Sequence, residues 1–259
     1  MHTPSQRVCY ALKQDGLYLE VTTAFEAIST TLAAGEQLAL GTRLGSDHEV
    51  RLLAPTTPSK VICVGLNYRR HAEEMGKTVP EEPLIFLKPS TAVIGPEEPI
   101  LLPPQASETH HEGELGIVIG KRAAGLSEQE ALSVVLGYTC ANDVTARDIQ
   151  RREQRYTRSK GFDSFCPLGP AIALAPSFVP GEHRLICRVN ATVRQSSTLN
   201  DFIFSIPQVI AFISQVMTLL PGDVILTGTP AGVGAIVEGD MVEVEIDGIG
   251  VLRNLVRSK

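Results

Sequence analysis

A chain of 259 residues, 43% of them hydrophobic, can bury a sizeable core in one large domain or in a small one beside a large one. Its net charge of −6 argues against broad nucleic-acid binding, which needs a basic stripe, and no apolar run approaches the ~18 residues that span a bilayer. The N-terminus lacks a charged-then-apolar signal pattern, and five cysteines without a CxxC pair fit reduced thiols and give no zinc signature. A soluble, cytoplasmic protein with no nucleic-acid or membrane partner is the expectation.

Residues 7–53 carry short alternating segments, and VCYALKQDGLYLEV reads as a hairpin around Asp15-Gly16. A helical piece follows at 23–34, and the proline- and threonine-rich LLAPTTPSK (52–60) marks a candidate boundary. Beyond it strands dominate: KVICVGL (60–66), PLIFLKP (83–89), ELGIVIG (114–120), VVLGYTCA (134–141), LICRVNATV (185–193), DVILTG (223–228) and DMVEVEIDGIGVLRNLV (240–256). Helical patterns are fewer. SEQEALSVVLG (127–137) opens as one, with Ser127 as N-cap and Glu130 completing a capping box. SIPQVIAFISQVMTL (205–219) is the best amphipathic helix, with Pro207 in its first turn. The pattern predicts a mainly β, α+β fold and not an alternating β-α array.

Three acidic residues fall in stretches that otherwise read as buried strand. Glu112 and Glu114, in HHEGELGIVIG (110–120), stand two apart, so on a strand both carboxylates project to one face. Asp143 ends the largely apolar SVVLGYTCAND (133–143). Carboxylates are costly to bury unpaired, and an oxygen-only cluster suits a hard cation, Mg²⁺ or Mn²⁺, better than zinc. Without Asp143 the two glutamates would read equally well as a solvated strand face. His110 shares their parity and could edge a pocket. His71 and Glu74, at i and i+3 on a helical turn, can form a polarised dyad or a bland surface pair. The charged run RDIQRREQRYTRSK (147–160) reads as a solvated face at Arg151, Arg152, Arg155 and Arg158. Lys160 differs because it enters the apolar GFDSFCPLGP. LTGTPAGVG (226–234) lacks the Gly-Lys-Ser/Thr of a P-loop and reads as a turn between strands.

Five ordered stretches resemble the fumarylacetoacetate hydrolase family: VGLNYRRHAEEMG (64–76), PLIFLKPSTAVIGP (83–96), HEGELGIVIGKRA (111–123), GYTCANDVTARDIQ with SKGFDSFCPLGP (137–150 and 159–170), and MTLLPGDVILTGTPAGVG (217–234). The resemblance implies a mixed β-sandwich roll over 57–259 behind a small N-terminal module over 1–56, and a homodimer. It assigns Glu112, Glu114 and Asp143 as ligands of one divalent cation, Mg²⁺ or Mn²⁺. It makes His71 and Glu74 the water-activating pair, with Lys160 and Gln150 reaching substrate oxygens. Thr229 would meet the substrate carboxylate, and Arg147 would touch substrate or brace a carboxylate. The implied substrates are 2-oxo acids, handled through an enolate that the cation stabilises. The leading expectation is hydrolysis of a C–C bond in an acylpyruvate, as in aromatic-compound catabolism. Isomerisation of a 2-hydroxyhepta-2,4-diene-1,7-dioate type acid, or decarboxylation or tautomerisation of oxaloacetate, needs the same enolate. A catalytically silent metal- or ligand-binding protein is the alternative of another class.

Overall fold

Local chemistry decides the first hairpin. Asp15 and Gly16 both take positive φ, 51° and 78°, the requirement of a two-residue type I′ turn, and join β1 (Ala11–Gln14) to β2 (Leu17–Val21). After α1 (Phe25–Ala33), β3 (Leu40–Gly45) completes a three-stranded antiparallel sheet. The structure, a computed structural model, describes residues 8–46, 48–74, 76 and 78–259, so part of the N-terminal segment read for a signal pattern lies outside it. Two compact units divide between Leu52 and Leu53.

The larger unit runs β4 (Val61–Gly65), α2 (Arg69–Glu74), β5 (Leu84–Lys88), β6 (Val93–Ile94), β7 (Ile100–Leu102), β8 (Thr109–His111) and β9 (Gly113–Ile119). It continues with α3 (Glu128–Ala131), β10 (Val135–Asn142), β11 (Thr145–Ala146), α4 (Arg147–Glu153), α5 (Tyr156–Lys160) and β12 (Cys166–Leu174). It ends with β13 (Arg184–Val189), β14 (Thr192–Thr198), α6 (Ile206–Val216), β15 (Val224–Leu226), β16 (Gly234–Ile236), β17 (Met241–Ile246) and β18 (Gly250–Ser258). A seven-stranded sheet in the order β5-β4-β15-β9-β10-β12-β6 packs through β9, β10 and β12 on a five-stranded sheet, β14-β13-β17-β18-β7. A short third sheet, β11-β8-β16, completes the unit. The fold is mainly β and α+β, as expected.

In β17, Val242, Val244 and Ile246 are buried while Glu243 and Glu245 are only half-buried, the alternation of a strand with one covered face. β9 is buried at every position, which makes it a central strand covered on both faces. Its Leu115, Ile117 and Ile119 join Leu185, Val244 and Leu252 in the core between the sheets, so Glu114 faces the other way. The capping box of Ser127 and Glu130 is present, but α3 is a single turn before the chain enters β10. Ser205 caps α6 through a second box with Gln208. LICRVNATV is not one strand: the chain reverses at Asn190 and Ala191, with φ of 51° and 63°, into the β13–β14 hairpin. DMVEVEIDGIGVLRNLV likewise folds back as β17 and β18.

Candidate active site

Register brings the three carboxylates together. β9 and β10 pair antiparallel, with Gly113 opposite Asn142 and Glu114 opposite Ala141, so Glu112, just before one strand, meets Asp143, just after the other. The Asp143 N–H donates to the Glu112 carbonyl at 2.8 Å, and the Glu112 N–H donates to Asn142 Oδ1 at 2.9 Å, which locks the crossing. Carboxylate oxygens of Glu112, Glu114 and Asp143 lie within 4.8 Å of one another, and all three residues are buried.

Three cations pair with two of the three acids. Lys160 Nζ donates to Glu112 Oε2 at 2.8 Å and to Asp143 Oδ2 at 2.5 Å, while Arg147 Nη2 pairs with Glu112 Oε1. Thr145 Oγ1 also donates to Glu112 Oε1, at 3.1 Å. Lys88, fully buried at the end of β5, donates to Asp143 Oδ1 at 2.5 Å and to the Val144 carbonyl at 3.1 Å. Burial pushes the Glu112 carboxyl up, but Lys160 and Arg147 outweigh it and hold the group far below the usual carboxylate range. Burial likewise opposes the Lys160 charge, yet Asp143 and Glu112 keep it firmly protonated. Glu114 is the exception. Its carboxylate accepts one hydrogen bond among the described residues, from the Gly228 N–H at 2.7 Å. Burial and then the charges of Asp143 and Glu112 drive its pKa well up. A donor set of oxygens alone, close together and short of positive charge at Glu114, fits a hard dication.

Sequence reasoning missed Lys88. A lysine ending a strand usually marks an exposed edge, and only the apolar run PLIFL before it hints otherwise. Lys88→Met keeps the aliphatic stem and leaves Asp143 with one cation instead of two. Removing one partner of a buried pair typically costs about 3–5 kcal/mol, and with Lys160 still present about 3 kcal/mol is expected in urea unfolding. A loss under about 1 kcal/mol would show that Lys160 alone neutralises Asp143.

The carboxylates line a cavity of about 810 Å³, together with His71, His110, Arg147, Gln150, Lys160 and Thr229. Leu84, Phe86 and Val233 form apolar wall, and Lys160 Nζ lies 5.2 Å from the Phe86 ring centre. His71 is buried on α2, with Nδ1 3.1 Å from Glu74 Oε2, and the Gly232 N–H donates to both Glu74 oxygens at 3.2 Å. All nine residues singled out from the sequence therefore belong to this cavity or, for Glu74, touch a residue that lines it. Gln150 Oε1 accepts from Arg147 Nη1 at 2.5 Å, so Arg147 braces Glu112 and Gln150 at once. Thr229 Oγ1 donates to the Gly113 carbonyl at 2.8 Å and accepts from Gln195 Nε2 at 2.7 Å, leaving one lone pair. His110 pairs through Nε2 with Glu108 at 2.7 Å, and burial lowers its pKa. Arg151, Arg152, Arg155 and Arg158 are exposed, although Arg151 also edges the cavity in a two-pronged pair with Glu108.

A β-rich fold that gathers three buried acids in one cavity wall, braced by Lys160, Arg147 and Lys88, defines a candidate metal-dependent active site. The chain belongs to the fumarylacetoacetate hydrolase family: the fumarylacetoacetate (FAA) hydrolase C-terminal domain matches residues 60–257. A mitochondrial oxaloacetate tautomerase of Bos taurus is 45% identical over 219 residues, covering 80% of this chain and 70% of its own. The 5-carboxymethyl-2-hydroxymuconate delta-isomerase of Mycobacterium smegmatis matches in structure with a TM-score of 0.83 and 45% identity, over 96% of this chain and 94% of that one. Fumarylpyruvate hydrolase of Pseudomonas aeruginosa, solved in complex with Mn²⁺ and pyruvate, matches with a TM-score of 0.74 and 33% identity, over 79% and 91%. Relatives thus carry tautomerase, isomerase and hydrolase names. No helix among the described residues is long and apolar enough to cross a membrane.

Proposed function

We propose that the protein is a divalent-metal-dependent enzyme of 2-oxo acids, and that it hydrolyses a C–C bond in acylpyruvate-like substrates. The observation that carries this reading is the buried Glu112–Glu114–Asp143 cluster opening into the cavity that His71 also lines. Mg²⁺ or Mn²⁺ held by these carboxylates would supply Lewis acidity toward the carboxylate and keto oxygens of the substrate. His71, oriented by Glu74, takes a proton from water and the hydroxide adds to the distal carbonyl; the C–C bond to the pyruvyl carbon then breaks, releasing a carboxylic acid and the enolate of pyruvate, which takes the proton back from His71. Lys160 and the amide N–H of Gln150 donate to oxygens that gain negative charge, with Arg147 fixing the Gln150 side chain. Thr229 lines the cavity, and its hydroxyl, turned from the Gly113 carbonyl, would donate to the substrate carboxylate.

Tautomerisation of oxaloacetate is a second reading, favoured by the 45% identity to a tautomerase. Pyruvate release from fumarylpyruvate and loss of enol-oxaloacetate absorbance, each with Mn²⁺ or with a chelator, test both readings. Rates unaffected by the chelator in both assays would sink them together. Chelated protein is expected to keep its circular dichroism and melting cooperativity, because the core between the sheets is apolar and complete without an ion. Cooperative unfolding on chelation would make the cation structural instead. We further propose a cytoplasmic homodimer with its catalytic part in 57–259, the mass being measurable by light scattering.

A further inference from the structure

Gln195 is fully buried on β14, an edge strand whose neighbouring positions are largely exposed. Its amide makes all four hydrogen bonds open to it. Oε1 accepts from the Gly113 N–H at 2.9 Å and from His111 Nδ1 at 3.2 Å, and Nε2 donates to Thr229 Oγ1 at 2.7 Å and to the Pro230 carbonyl at 2.8 Å. The amide orientation is forced, since a backbone N–H can only donate and a carbonyl can only accept. That in turn makes His111 Nδ1 the protonated ring nitrogen.

What Gln195 holds is the middle of the 227–233 loop, whose two ends serve two different groups. At one end the Gly228 N–H donates to Glu114, and at the other the Gly232 N–H donates to Glu74. The loop lies directly on β14: Gly232 has φ +98°, and a Cβ there would stand 2.1 Å from the Arg194 carbonyl oxygen. At Gly113, between the two glutamates, the fit is less severe, with a Cβ meeting Cys187 Cβ at 3.0 Å and Gln195 Oε1 at 3.3 Å. We infer that Gln195 is a positioning residue that sets the cation site and the His71–Glu74 pair together, through one loop and from the opposite sheet. The inference rests on the proposed roles of Glu114 and Glu74.

Two shape-preserving variants of the full chain test it. Gln195→Met removes all four hydrogen bonds, and Gln195→Glu keeps the acceptors toward Gly113 and His111 while losing the amide donors to the loop. Mn²⁺ affinity, read from the free-ion electron paramagnetic resonance signal, is expected to fall about 10- to 100-fold in folded Gln195→Glu, the usual effect of losing a partner that orients a ligand. At saturating Mn²⁺, kcat for fumarylpyruvate hydrolysis should still fall about 100-fold, because Glu74 is displaced as well. A lower melting temperature with Mn²⁺ affinity and kcat per folded molecule unchanged would overturn the proposal, since that is what a merely structural glutamine gives. Should Gln195→Met not fold, Gln195→Glu alone decides. Glu114→Gln measured in parallel separates the two readings. If it also binds Mn²⁺ like the parent, the ligand assignment fails; if it alone loses affinity, the Gln195 inference fails.

Discussion

Replacing Glu114 by glutamine is expected to leave the metal-free protein about as stable as the parent and to lower its affinity for Mn²⁺ by at least about 100-fold. The two halves of this result have one cause. In the absence of an ion, burial and the charges of Asp143 and Glu112 raise the Glu114 pKa, so the neutral acid is favoured and the amide resembles it. The sign follows from linkage: a carboxyl whose folded pKa is raised adds stability at low pH and loses that contribution as pH rises through the folded value. Glutamine has no such titration, so the variant should gain relative to the parent toward alkaline pH. One hydrogen bond, from the Gly228 N–H, survives at the amide oxygen. With an ion the situation reverses, because a carbonyl oxygen carries no formal charge and the shell loses one of three anionic ligands. Calorimetric titration with Mn²⁺ alongside urea unfolding measures both quantities. Parental Mn²⁺ affinity in a folded variant would falsify the assignment of Glu114 as a ligand.

His71→Ala is the converse experiment. It should bind Mn²⁺ with parental affinity, since His71 bonds Glu74 and none of the three carboxylates. Hydrolysis of fumarylpyruvate should fall by roughly 100- to 10,000-fold, the range that loss of a general base typically costs. Oxaloacetate tautomerisation, which needs no attacking water, should fall much less. Running both assays on one preparation cancels differences in folding and metal content. Equal losses would assign His71 to a step the two reactions share. No loss in either would remove it from the mechanism.

Much of this was written into single residues. The parity of Glu112 and Glu114 forced one face, and Asp143 at the end of an apolar run supplied the third acid. Asp15-Gly16 announced its hairpin because both residues tolerate positive φ. The second hairpin was hidden because Ala191 stands at φ 63°, where alanine is uncommon, so the usual Asn-Gly signal was missing. Gln195 was invisible for another reason: alternation predicts that a polar residue in a strand faces water, and only the loop seated on β14 makes burial at that position favourable. The short helices α4 and α5 escaped because their many charges read as solvated face, which most of them are. What the sequence could not express was pairing at a distance, the Lys88–Asp143 contact above all.

The division of labour around the cavity bears on how new specificities arise. The acids are set by the register of two central strands, where one slipped residue would turn every side chain over. Other parts of the lining come from short helices and loops, carrying Leu66, Pro80, Arg151, Gln154 and Tyr156. Mutations there can accumulate without disturbing the ion-binding carboxylates, because connecting segments tolerate change that paired strands do not. A directed-evolution library confined to those five positions should therefore yield many folded variants with altered substrate profiles, whereas randomising 112–116 should yield mostly inactive ones. Inherited chemistry with an editable entrance is one physical route by which a single fold diversifies into enzymes with different names.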